Sequence, residues 1–316
     1  MEHRKIVKIG GSYYVSLPKE WVEAHNLSES AIVSLNAKRG MLEIVPLGGG
    51  KESEITSIFL DNFVVQRLVT AYLDGFEVIE IISNKSINPS IVEEIESTLK
   101  LLVGAEIVEE SHNKIVVQCF LREEYDISSL VYRIDRITKT MYVEAVKAVS
   151  QNDRELAESV VSRDDKVDKL FFLIVRLIRS KLKKACSPAK DVLKLLDCRL
   201  VIRNLERIGD YSEEIAKLAF KLEDNYNPEL IDFFDKLNQH VNKMSTIQHT
   251  IVKSFLEEDM AKAIRGERQI SKIYSGLINL RNTALDKRLP QVIHLTVDRV
   301  MRIAEELADI AGLTAG

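Results

Sequence analysis

Apolar positions along this 316-residue chain follow two rhythms. From about Ile127 onward they recur every three or four residues, as in helices with one buried face; Val201, Leu205, Ile208, Ile215 and Ala219 form one such stripe. Before that point, short runs of β-branched and aromatic residues alternate with glycines and polar turns, as strands do. Glycine usage agrees. Eight of the 13 glycines lie in the first 104 residues and none between Ala105 and Ile208, and glycine's backbone entropy favours turns over helix interiors. Ser187-Pro188 and Asn227-Pro228 each read as an N-cap followed by proline at the first helical position. Together with Pro290, Gln151-Asn152-Asp153 and Glu257-Glu258-Asp259, they divide the region into six predicted helices. These are Ile127–Ser150, Arg154–Cys186, Pro188–Leu222, Pro228–Leu256, Met260–Lys287 and Pro290–Gly312.

The six helices repeat as three plus three. Arg203-Asn-Leu-Glu-Arg-Ile-Gly-Asp210, continuing to Glu214-Ile-Ala216, is echoed by Asp298-Arg-Val-Met-Arg-Ile-Ala-Glu305, continuing to Asp309-Ile-Ala311, about 95 residues later. Asp164 to Phe171 is echoed by Glu267 to Tyr274 about 103 residues later. A tandem duplication of a three-helix unit, with a small length change in one connection, accounts for both offsets.

The turn-rich third divides in two. In the first part, Arg4–Ile9, Gly10-Gly11 and Tyr13–Leu17 predict strand, turn and strand, followed by a short helix from Lys19 to His25 that Asn26 ends. Strands near Ala31–Leu35 and Met41–Val45 flank the turn Lys38-Arg39-Gly40. A unit this small buries too little apolar surface to fold well alone, so pairing with another chain is the natural remedy. In the second part, strands at Thr56–Leu60 and Glu77–Ile82 and helices at Phe63–Leu73 and Pro89–Leu102 precede a strand pair at Ile107–Glu109 and Lys114–Phe120. We read a small α/β layer of ferredoxin-like type, a spacer or dimerisation element without a glycine-rich phosphate loop. The fold class is thus multidomain α+β, with boundaries at 1–47, 54–123, 127–222 and 228–314.

Composition narrows the function. Lys and Arg number 44 against 48 Asp and Glu, which argues against a globally basic nucleic-acid coat, and 46% apolar residues argue against disorder. No apolar stretch approaches the roughly 20 residues of a membrane span; the nearest, Leu170 to Ile178, contains Arg176. No signal-peptide pattern follows Met1, and Cys119, Cys186 and Cys198 form no CxxC, so the expectation is a cytoplasmic protein with reduced thiols and no membrane insertion.

Lys5-Ile-Val-Lys-Ile-Gly-Gly-Ser12, Val15-Ser-Leu-Pro-Lys-Glu20 and Gly40-Met-Leu-Glu-Ile44 resemble the AbrB/SpoVT DNA-binding fold, which includes MazE-type antitoxins. That resemblance implies a swapped-hairpin homodimer presenting basic residues to DNA, here Arg4, Lys5, Lys8 and Lys19. The charge supports this in part. Three basic residues face only Glu2 in the first twelve positions, whereas Glu20, Glu23, Glu29 and Glu43 offset Lys19, Lys38 and Arg39. A module that dimerises without binding DNA is the competing reading.

Two acidic pairs carry the main chemical signal. Glu206 and Asp210 are four residues apart, as are Asp164 and Asp168, so each pair shares a helix face. Taken alone, such acids beside Arg203 and Arg207 are more often solvated salt-bridge partners. If neighbouring helices bring the pairs together, oxygen-only ligation suits Mg²⁺, Mn²⁺ or iron better than structural zinc. The string Arg203-Asn-Leu-Glu-Arg-Ile-Gly-Asp210 with Glu214-Ile-Ala216, the Asp164/Asp168 pair and the duplication together resemble the PhoU family of phosphate-uptake regulators. That resemblance spans about Ile127 to Gly312. It implies two tandem three-helix bundles with acidic surface motifs able to hold a divalent or trivalent metal (Mg, Mn, Fe or Zn). By analogy the ligands are Asp164, Asp168, Glu206 and Asp210. In the second unit Met301 stands for Glu206 and Ser271 for Asp168, leaving Glu267, Glu305 and Asp309 as a weaker site.

No activated nucleophile accompanies the acids, and His240, His249 and His294 are scattered, so an enzyme is not expected. The combined reading is a homodimeric regulator of phosphate uptake and phosphate-responsive transcription. It would bind DNA at one end and metal, phosphate, a phosphate ABC transporter component or a signalling partner at the other. The alternative is a protein that docks on the transporter without touching DNA.

Overall fold

The computed structural model describes residues 3–38, 40–47, 54–121, 125–183, 189–221 and 228–315. Arg39, Cys186, the Ser187-Pro188 helix start, Leu222 and Asn227 lie outside them. The chain forms two compact units, residues 1–54 and 55–316.

The first unit contains two small antiparallel sheets and a short helix. Strands β1 (Val7–Ile9) and β2 (Ser12–Tyr14) form one hairpin. Helix α1 (Lys19–Ala24) follows, then the hairpin of β3 (Ile32–Lys38) and β4 (Met41–Leu47). Gly10 and Gly40 take φ of +64° and +81° at the two hairpin turns, a backbone that glycine adopts without steric cost. Asn26, at φ +49°, ends α1 in the left-handed region. Among the residues of this unit whose side chains are described, none is buried. Ile6, Ile9, Tyr13, Ile32 and Leu35 are each at least 60% exposed.

The second unit begins with a four-stranded sheet: β5 (Ile55–Phe59), β6 (Val78–Ile82), β7 (Ala105–Glu110) and β8 (Lys114–Cys119). The strand order is β5-β6-β8-β7, with β5 parallel to β6 and the other pairs antiparallel. Helix α2 (Val64–Leu73) crosses between the parallel strands, and α3 (Pro89–Leu99), capped by Asn88, lies between β6 and β7. This corrects the ferredoxin-like reading. That fold alternates β-α-β-β-α-β, whereas here both helices precede the final hairpin and the first two strands are parallel neighbours. Ile79, Ile81, Ile95, Ile115, Val117 and Leu68 form the core of this layer.

Six long helices complete the chain: α4 (Ile127–Gln151), α5 (Arg154–Lys183), α6 (Ala189–Leu218), α7 (Pro228–Glu257), α8 (Met260–Asp286) and α9 (Gln291–Ala315). Asp126 caps α4 by accepting from the Ser128 and Ser129 amides, and Asn152 ends it at φ +50°. Helices α4, α5 and α6 pack on one another, as do α7, α8 and α9; α4–α7 and α6–α9 contacts join the two sets. One continuous apolar core runs through all six. Polar links reinforce the joins. Arg207 meets the buried Glu306 at 3.1 Å, and Arg299 reaches Glu214. The fully buried Asp135 accepts from Gln248 and lies 3.0 Å from His249 Nδ1.

The α/β layer is fastened to α5. Arg176, only 7% exposed, donates through its guanidinium to the carbonyls of Tyr72 in the last turn of α2 and of Gly75 and Phe76 just past its end. Carbonyls left over at a helix C-terminus attract a cation there. Arg179 adds an ion pair with Asp74 at 2.6 Å. Arg176 therefore interrupts the apolar run Leu170–Ile178 for a structural reason. Among the described residues no helix is long and apolar enough to cross a membrane.

Candidate metal centre

Helix periodicity aligns Asp164 with Asp168 on α5, and Glu206 with Asp210 on α6, and the α5–α6 packing brings the faces together. One carboxylate oxygen from each of Asp164, Asp168 and Asp210 lies within 4.8 Å of the other two. Among the described residues this is the single grouping of three such ligands. Gly209 makes the approach feasible. A Cβ at that position would stand 3.1 Å from Val167 Cγ1 and 3.2 Å from Asp164 Oδ1. The glycine that would ordinarily weaken a helix interior thus leaves room for a neighbour's carboxylate.

The electrostatics are those of a site short of positive charge. Burial, then Asp168, Glu213, Asp210 and Glu206, push the Asp164 carboxyl up to about 7. Burial, then Asp210, Asp165 and Glu213, raise Asp168 to about 6. Burial also raises Asp210, with Arg203 opposing. Asp164 Oδ1 is buried and has no hydrogen-bond partner. A buried, unpaired carboxylate oxygen beside two other carboxylates is costly for the protein alone and suited to a hard cation, which takes oxygen ligands. The residues therefore fit a divalent or trivalent ion. The set contains no thiolate or imidazole, so the fit is to Mg²⁺, Mn²⁺ or iron more than to zinc.

Glu206 occupies a different position. Both its oxygens accept from Arg203 Nη1, at 2.8 and 2.7 Å, and the residue is 9% exposed. Burial and then Asp210 raise it to about 7, with Arg203 pulling it back. It thus borders the triad as a guanidinium-held acid. Sequence reasoning gave Arg203 the role of a salt-bridge partner and gave none to Gly209 or Glu213; of these two, only Gly209, breaking a helix pattern inside the acidic string, carried a visible signal.

In the second three-helix set, α7 to α9, Glu305 is engaged within the protein. Its Oε1 accepts from the Tyr274 hydroxyl at 2.9 Å and its Oε2 pairs with Arg302 at 2.8 Å. Glu267 is half-buried and Asp309 exposed, and these acids do not form a second cluster of three. At the other end of the chain, Arg4, Lys5, Lys8 and Lys19 are all exposed. Lys8 lies 5.7 Å from the centre of the Tyr13 ring, and Lys19 pairs with Glu23 at 3.5 Å.

Comparison with known proteins bears on both ends. Residues 131–219, from α4 to the turn after α6, match the PhoU domain. This part of the chain is similar to a PhoU domain. Residues 6–52 match the antidote-toxin recognition domain MazE, a bacterial antitoxin. The chain is 24% identical over 187 residues to the phosphate-specific transport system accessory protein PhoU of Serratia marcescens, covering 57% of this chain and 76% of that one. The Escherichia coli K12 protein of the same name is 23% identical over the same span and coverage. The crystal structure of PhoU from Pseudomonas aeruginosa superposes with a TM-score of 0.54 at 19% identity. It covers 61% of this chain and 95% of that one, a likeness of fold. The acidic triad lies inside the PhoU match.

Proposed function

We propose that the protein is a non-enzymatic, PhoU-like regulator of phosphate uptake and phosphate-responsive transcription. The observation that carries this reading is the joining, in one chain, of a MazE-type segment and a PhoU domain. The PhoU relatives are named as accessory proteins of a transport system. On this reading residues 1–47 form a homodimer by exchanging hairpins, and Arg4, Lys5, Lys8 and Lys19 meet the DNA backbone. The absence of any buried residue among those whose side chains are described there, with exposed apolar side chains on every strand, supports the need for a second chain. Residues 54–123 link this module to tandem bundles at 127–222 and 228–314. The first bundle holds a cation at Asp164, Asp168 and Asp210, with Glu206 beside them. The bundles engage a phosphate transporter component or a signalling protein on the cytoplasmic side of the membrane.

Phosphate neutralisation by a few cations gives affinity that falls with salt and depends little on sequence. Reversing charge at Arg4 and Lys5 together lowers retention of the full chain on a DNA column at low salt. Equal retention of wild type and variant would defeat DNA binding by this module. One observation favours the second reading, a module that dimerises while the bundles dock on a transporter: Lys19 is already paired with Glu23. Pull-down of a transporter component by a chain that no DNA column retains is the result expected on that reading.

A further inference from the structure

We propose that a groove between α7 and α8 in the second bundle binds the phosphoryl oxyanion of a small molecule, separately from the acidic triad. The groove has a volume of about 460 Å³ and is lined by His240, Lys243 and Thr246 from α7 and Gln269 and Lys272 from α8. Ile247 and Ile273 form its apolar floor. Its polar residues are cations and neutral hydrogen-bonding groups.

The groove's lysines differ from the others on α7 and α8. Elsewhere on the same two helices Lys236 pairs with Asp232, Lys253 with Glu257, and Lys262 with Asp259. Lys243 and Lys272 have no carboxylate partner among the described residues, in a chain whose net charge is −4. Two uncompensated ammonium groups at one cavity form a local anion site in an acidic molecule.

His240 is seated by design of the backbone opposite it. A Cβ on Gly276 would stand 2.4 Å from His240 Cε1 and 2.9 Å from Nε2, so only glycine lets the imidazole lie against α8. His240 Nδ1 is buried without a hydrogen-bond partner. Burial first and Lys243 second lower the ring's pKa, as expected where no carboxylate supports the charged form. An acceptor-only ligand complements such a set, and phosphoryl oxygens accept charge-assisted hydrogen bonds from lysine. The volume falls within the roughly 300–1,000 Å³ of small-molecule sites, so a phosphorylated metabolite fits as well as free phosphate. The proposal stands on the groove's own residues and needs no cation at Asp164.

Calorimetric titration of the full chain with inorganic phosphate and, separately, with adenosine monophosphate tests it, with a chelator present so that metal-held phosphate does not contribute. Wild type is expected to bind at least one of them. Lys243→Gln with Lys272→Gln, both exposed and safe for folding, weakens binding by at least about tenfold, as loss of two charge-assisted contacts should. Gly276→Ala, which displaces the imidazole but keeps every charge, weakens it too. Tighter binding of adenosine monophosphate assigns the site to an organic phosphate, and tighter binding of inorganic phosphate to the free ion. No binding of either at about 10 mM, an affinity worth under 3 kcal/mol, overturns the proposal, as does equal affinity in the double-lysine variant.

Discussion

The two bundles use matching helices, yet their acids behave differently. Aligned by the repeat, Asp168 corresponds to Ser271, Phe171 to Tyr274, Glu206 to Met301, Gly209 to Ala304 and Asp210 to Glu305. In the first bundle glycine lets α5 and α6 approach closely enough for three carboxylates to converge, one with an oxygen left unpaired. In the second, buried Met301 and Ala304 replace an acid and a glycine with apolar bulk. The Tyr274 hydroxyl and Arg302 then satisfy both oxygens of Glu305. The same scaffold leaves Asp164 short of a partner on one side and supplies Glu305 with partners on the other. A cation site depends here on what is withheld as much as on the acids present.

Removing one acid of the triad should break this contrast most strongly. Asp210→Ala or Asp164→Ala is expected to lower affinity for Mn²⁺ or Fe³⁺ by more than the roughly 10–100-fold typical of changes outside the ligand shell. Glu305→Ala should leave affinity unchanged. Elemental analysis and calorimetry check both, and equal metal content in Asp210→Ala and wild type would remove the site. Next in size is Gly209→Ala, which places a methyl against Val167 and Asp164. We expect a loss of about 1–3 kcal/mol in denaturant unfolding from overpacking, together with weaker metal binding. Metal binding unaffected by the added methyl would separate the close approach from the site.

A pH dependence sharpens the comparison further. With folded values of about 7 for Asp164 and Glu206 and about 6 for Asp168, the folded metal-free protein holds protons that the unfolded chain, with carboxyls near about 4, has released. The cluster's contribution to stability therefore falls as pH rises from about 4 to about 7, and the deficit is complete above that range. Asp164→Asn should flatten this slope and, with chelator present, melt above wild type near pH 8 but not near pH 5. A constant offset between the two proteins across that range would contradict it. The smallest effect is expected from Tyr274→Phe, which deprives Glu305 of one donor. About 0.5–1.5 kcal/mol of stability should be lost, with no gain in metal binding because Arg302 still holds the carboxylate.

Much of the helical region was legible in advance because its boundaries are written locally. Pro228, the Asp126 and Asp259 caps and the left-handed Asn152 mark ends that lie within a few residues of those expected. The α/β layer was legible element by element but not in its pairing. Which strand sits beside β5 is decided by non-local contacts such as Ile55 opposite Val78, and alternation along a strand does not encode its neighbour. At the site, four-residue spacing brought each acidic pair onto one face. It did not reveal that Arg203 would take both oxygens of Glu206, or that Gly209 would set the gap between helices. Both depend on side-chain reach and interhelical distance, which a one-dimensional pattern lacks. His240 looked isolated for the same reason: its companions Gly276 and Lys272 come from the next helix.

Helix α5 contains Asp164 of the triad and, twelve residues on, the guanidinium that grips the end of α2. At 1.5 Å per residue the two points are about 18 Å apart along one uninterrupted rod. Such a rod resists compression, so an axial shift or turn of α5 at its acidic end is delivered to the carbonyls of Gly75 and Phe76 at the other. The connection runs through a single backbone, with no relay of intermediate side chains.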